Sequence, residues 1–183
     1  MSPTVRLARL AVAAASALAL VGCAATMKVN SYTERGAELG RYRTYGFAAP
    51  ERVSTGDPRL DSNPFFNERI QADIEKQMAA KGFAKAASPG ADLLVHYHAS
   101  FAQQVDVNNL DRNYGYCQRG DCRPVVYDAG TLLVDLVDSK TNNVVWRGWA
   151  EGSVDGVIDN QTWLEQRVDT SVARIFERLP RKL

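Results

Sequence analysis

The chain has 183 residues, with 22 Lys or Arg against 21 Asp or Glu and a formal net charge of +1. This length suits one domain with a single core, and two domains would each be thin. The balanced charge excludes bulk electrostatic attraction to nucleic acid or to an anionic lipid surface.

The first element is a leader. Arg6 and Arg9 form a basic start with no acidic residue, and Leu10 to Val21 is an apolar run too short to span a bilayer. It closes on Leu20-Val21-Gly22-Cys23. That tetrad resembles the lipobox of bacterial lipoproteins. The resemblance implies that residues 1–22 are a signal peptide cleaved before Cys23, and that Cys23 is acylated as the new N-terminus. Partners then include the membrane, held through the lipid anchor. Ala24, standing where an Asp favours inner-membrane retention, implies the periplasmic face of the outer membrane. Residues 23–183 are left as a single domain with one acidic residue in excess, because the leader takes two of the basic residues.

After the leader, Met27 to Thr33 alternates weakly and Tyr42 to Phe47 is short and aromatic, so both read as strands. Ala48 to Asn63 is rich in Pro, Gly, Ser and Asp and reads as a loop. A helix follows, with Asn63 as N-cap, Pro64 in the first turn, and Ile70, Ile74 and Met78 on one face; Lys81-Gly82 ends it.

From Ala91 the period changes to two. Leu93, Val95, Tyr97, Ala99 and Phe101 fall on one side, with Leu94, His96, His98 and Ser100 on the other. A polar stretch from Gln103 to Arg123, an insertion around residues 103–124, carries Tyr114, Tyr116, Cys117 and Cys122. The clearest hairpin joins Gly130–Asp138 to Val144–Ser153 through residues 139–143. A five-residue turn places Asp135 opposite Arg147, Leu133 opposite Trp149 and Thr131 opposite Glu151. On the other face it sets Leu136 against Trp146, Val134 against Gly148 and Leu132 against Ala150. Small Gly148 and Ala150 let a helix approach, so that face, with Trp146, reads as core. A last helix with a Thr162 to Glu165 capping box runs through Leu164, Val168, Val172, Ile175, Phe176 and Leu179 until Pro180 stops it.

These elements predict an α+β fold, a mainly antiparallel sheet with two helices packed on one face and the other face partly open. Three blocks, Ala91 to His98, Gly130 to Asp138 and Val145 to Ala150, resemble the lipoprotein family catalogued as domain of unknown function 4136. So do Thr44-Tyr45, Lys81-Gly82-Phe83 and Ile175-Phe176. The likeness covers roughly residues 27–180 and implies an envelope lipoprotein of α+β fold without assigned activity. It supplies no catalytic residues, and the cysteine-bearing insertion lies outside its pattern.

Three cysteines are present, and with Cys23 committed to lipid, Cys117 and Cys122 remain. In an oxidising periplasm they read as a disulfide, a local staple worth about 2 kcal/mol in the chain-entropy model. Four residues separate them, against the two of a redox motif.

The sharpest constellation is on the open face, where His96 and His98 project from one strand toward Asp135, Arg147 and Glu151. Two histidines and a carboxylate suit Zn²⁺ or iron. Against this, Arg147 beside Asp135 reads as a cross-strand ion pair. No nucleophile elbow, His-Glu-x-x-His or phosphate loop occurs, and Asp135 and Asp138 fall on opposite faces. The expectation is a non-catalytic binding or scaffold module with no cofactor, no nucleic acid and an envelope protein partner. Trp149 serves as a candidate anchor, and Tyr114 and Tyr116 as a candidate recognition loop. Capture of a small ligand or metal at His96, His98 and Asp135 is the alternative, and a hydrolase comes last.

Overall fold

The computed structural model describes residues 27–49, 54–86, 90–105 and 126–180. In chain order they form β1 (Lys28–Thr33), β2 (Thr44–Phe47), α1 (Pro58–Asp61), α2 (Pro64–Ala80), β3 (Ala84–Lys85), β4 (Leu93–Val105), β5 (Val126–Asp138), β6 (Val144–Ser153) and α3 (Gln161–Glu177). A single 3-10 turn, Leu39–Arg41, precedes β2. The strands make one sheet in the order β1-β6-β5-β4-β2-β3. Pairing is antiparallel from β1 to β4 and parallel from β4 through β2 to β3. This is the expected α+β class, with α2 and α3 over one face.

The two-residue period of the long strands decides which face that is. Leu93 and Val95 of β4, Leu132, Val134 and Leu136 of β5, and Trp146 and Ala150 of β6 are all buried. They meet Ile70, Ile74 and Met78 of α2 and Leu164, Val168, Val172, Ile175 and Phe176 of α3 in one core. Each fully buried aliphatic side chain contributes about 2 kcal/mol by leaving water. At Gly148 α3 comes close to the sheet. A Cβ there would sit 2.4 Å from Trp146 Cη2 and 2.7 Å from Ile175 Cγ2. Trp146 then stacks at a tilt on Phe176, ring centroids 5.8 Å apart.

Helix ends follow local chemistry. Asn63 Oδ1 accepts from the Phe66 N–H at 3.3 Å, and Pro64 occupies a first-turn position whose N–H no helix needs. At the other end Gly82 takes φ +84°, and the Phe83 N–H returns to the Met78 carbonyl at 3.0 Å. Lys81 Nζ reaches the Leu179 carbonyl at 2.7 Å, which ties the ends of α2 and α3 together.

Four expectations need correction. Residues 48–63 are not all loop, because Asp57 caps α1 by accepting from the Arg59 N–H at 2.9 Å and Leu60 is buried. The α3 cap is Asn160, which accepts from the Trp163 N–H at 3.1 Å, so the helix starts ahead of the Thr162 box. β4 runs on to Val105 and β5 begins at Val126, so the first residues of the expected insertion are paired strand. β2 begins at Thr44 because Tyr42 is drawn aside to Asp138.

That last contact belongs to a node at the hairpin turn. Asp138 Oδ2 accepts from Tyr42 Oη at 2.8 Å and Arg41 Nη2 at 2.9 Å. Its Oδ1 accepts from the Lys140 and Thr141 N–H groups at 2.8 and 3.1 Å, while Asn142 turns through φ 56°. The Tyr42 hydroxyl first, then the two turn N–H groups and Arg41, outweigh the cost of burial and hold the carboxyl down at about 2 against an ordinary 3.8. A depressed carboxyl pKa stabilises the fold above the unfolded value, and that stability drains away as pH falls from about 4 toward 2. Denaturant unfolding of wild type and Asp138→Asn should therefore differ most above pH 5 and converge toward pH 2. A difference independent of pH would assign the node's contribution to packing rather than charge.

Candidate functional site

Directly opposed residues of antiparallel strands project to the same side. On the face away from the helices the register therefore makes three rows. His96, Asp135, Arg147 and Tyr32 form the first; His98, Leu133, Trp149 and Asn30 the second; Ser100, Thr131, Glu151 and Lys28 the third. With strands about 4.8 Å apart and two residues spanning about 7 Å, the rows cover roughly 14 Å each way. All six cross-strand pairs expected from the five-residue turn are present.

The first row is held by charge. Arg147 donates from Nε to Asp135 Oδ1 and from Nη2 to Oδ2, each at 2.6 Å. The Asp135 side chain is 8% exposed and that of Arg147 43%, so the carboxylate is sunk and the guanidinium covers it. Hydrogen bonding to Asp135 pushes the Arg147 pKa further above its ordinary value. In the next rows Trp149 Nε1 donates to Glu151 Oε1 at 3.1 Å. Tyr32, half exposed, donates to Glu34 Oε2 at 2.6 Å.

His96, His98, Asp135, Arg147, Trp149 and Glu151 thus share one face, as the sequence predicts. The ligand set proposed within them does not form. Both Asp135 oxygens are committed to Arg147, and His96 and His98 leave the strand about 7 Å apart at their bases. Among the described residues no three of His, Cys, Asp and Glu gather closely enough to hold a metal. Cys23, Tyr114, Tyr116, Cys117 and Cys122 lie outside the described residues.

Sequence reasoning passed over Lys28, Asn30 and Tyr32, which complete the rows from β1. It also passed over Arg41 and Tyr42, which hold Asp138. The alternation of β1 was the available signal for the first set. The second set has none, since Arg41 and Asp138 stand 97 positions apart.

The profile of a domain of unknown function, DUF4136, matches residues 29–181. The chain belongs to the DUF4136 family. No curated protein matches this DUF4136 chain. Among solved structures, a PDZ domain protein from Parabacteroides distasonis ATCC 8503 superposes with a TM-score of 0.54 and 14% identity, over 85% of this chain and 35% of that one. This chain therefore spans only 35% of that protein's length. A PelC dodecamer from Paraburkholderia phytofirmans gives a TM-score of 0.48 and 10% identity, over 82% of this chain and 95% of that one. At such identities the likeness concerns the fold alone.

Because the Asp135 carboxylate is sunk, removing its partner leaves a charge with little water. Arg147→Met in this DUF4136 domain should cost about 2 kcal/mol by denaturant unfolding, and adding Asp135→Asn should recover much of it. Additive losses in the double variant would show that the two side chains are not coupled.

Proposed function

We propose that this DUF4136 protein is a lipid-anchored, non-catalytic binding or scaffold module at the periplasmic face of the outer membrane. Its uncovered sheet face is offered to another envelope component. One observation carries the reading. The face outside the helix layer places Trp149, Tyr32 and Leu133 among Arg147, Glu151 and hydrogen-bonding side chains. Aromatic and Arg anchors within a polar surround are the composition of protein interfaces. Arg147 is clamped in plane by Asp135, so a partner orders it at little further entropic cost.

The lipobox at Leu20 to Cys23 supplies the anchor, each buried methylene contributing about 0.8 kcal/mol. Among the described residues no helix is long and apolar enough to cross a membrane. The candidate recognition loop leaves the sheet between Val105 and Val126, beyond the row of Ser100 and Thr131. β1 begins at that same row, so the start of β1, the end of β4 and the start of β5 lie toward one end of the sheet. Capture of a metal or small ligand at His96, His98 and Asp135 would first require Arg147 to let its carboxylate go.

A photo-crosslinking residue placed at Trp149 or at Tyr32 in living cells tests the reading. A discrete adduct is expected from both positions and none from exposed Glu68 on α2. No adduct from the sheet face, or the same adducts from Glu68, would overturn it.

A further inference from the structure

Two acidic residues of α3 are drawn to one side. Glu165 and Asp169 turn toward α2, where they pair with Arg69 at 3.7 Å and Lys76 at 3.3 Å. Trp163, Gln166, Arg167, Thr170 and Arg174 recur at helical spacing along another side, and with Met27 and Val157 they line a shallow depression. Among the described residues no acidic side chain lines it. Trp163 is 55% exposed. Its backbone N–H is spent on the Asn160 cap, while its indole lies out over the turn before the helix.

Neither the Arg167 nor the Arg174 side chain has an ion pair or hydrogen bond among the described residues, whereas both cations of α2, Arg69 and Lys76, are paired. The near-neutral net charge conceals this, because two of the three acidic residues of α3, Glu165 and Asp169, are consumed on the side facing α2, and the third, Glu177, stands at the C-terminal end of the helix.

Met27, in the same depression, stands four residues after Cys23. At about 3.4 Å per extended residue, an acyl group on Cys23 is tethered within about 14 Å of this stripe. A half-exposed indole at one end of a stripe with two guanidinium groups is the chemistry of a membrane interface, with the ring at headgroup level and the cations on lipid phosphates.

We propose that the Trp163, Arg167 and Arg174 stripe is the surface by which the domain lies on the phosphate layer of its membrane. The inference rests on the lipid-anchored reading of Cys23 and adds an orientation to it. The stripe runs past the β1 edge of the sandwich, so that edge meets lipid and the open sheet face stays available.

The mature, full-length protein is reconstituted into phosphatidylethanolamine–phosphatidylglycerol vesicles carrying brominated acyl chains, and mass spectrometry of the same sample reads acylation of Cys23. The chain has three tryptophans, of which Trp146 is fully buried and Trp149 lies on the open face. Bromolipid quenching should fall roughly twofold or more in Trp163→Phe and stay unchanged in Trp149→Phe, with bromines near the headgroup quenching best. Arg167→Gln with Arg174→Gln should lower it too, while the protein still floats with the vesicles.

Quenching that survives Trp163→Phe, or follows Trp149, on an acylated protein overturns this inference and leaves the anchor standing. Unchanged quenching in the double arginine variant overturns the role given to the guanidinium groups. An unacylated Cys23 removes the anchor and the inference together.

Discussion

The buried carboxylate of Asp138 is the constraint on which the rest of this molecule depends. One carboxylate oxygen accepts from two successive N–H groups of the hairpin turn, and the other accepts from Tyr42 and Arg41. The first pair shapes the five-residue connection between β5 and β6. The second brings the chain before β2 alongside it. Since side chains alternate with a period of two, a slip of one residue in β6 would carry Trp146 outward and Arg147 into the core. Burying a guanidinium without its partner would cost several kcal/mol, so the turn and the two faces specify the same register.

That register makes the two faces chemically different. One packs Leu132, Val134, Leu136, Trp146 and Ala150 under α2 and α3, with Gly148 giving room for Ile175. The other keeps polar and aromatic rows whose only sunken charge, among the rows as described, is neutralised in place by Arg147. Such a face stays ordered without a covering layer, because its side chains are fixed by their cross-strand neighbours. The arrangement offers a pre-set surface for recognition.

Much of this was legible in the residues because it is local. Alternation from Leu93 onward, the five residues between Asp138 and Val144, and Asn63-Pro64 before an apolar stripe each state their structure within a few positions. The Asp57-Pro58 start of α1 carries the same signature and was hidden by its shortness, a helix of four residues in a Pro- and Gly-rich stretch. Thr162 and Asn160 are both competent caps. Asn160 prevails because a turn from Val157, which is buried, already bends the chain there. β3, two residues long and parallel to β2, has no period to read. The Arg41–Tyr42–Asp138 node and the division of charge along α3 depend on neighbours distant in sequence, so only the folded chain reveals them.

In the proposed role, the face bearing Trp149 is covered in the cell by a partner that purification removes. Hydroxyl-radical footprinting of the protein in isolated envelopes, against the purified protein, measures this directly through oxidation of individual side chains. Trp149 should be oxidised in the purified protein and protected in the envelope, with buried Trp146 protected in both. Equal oxidation of Trp149 in the two samples would contradict it.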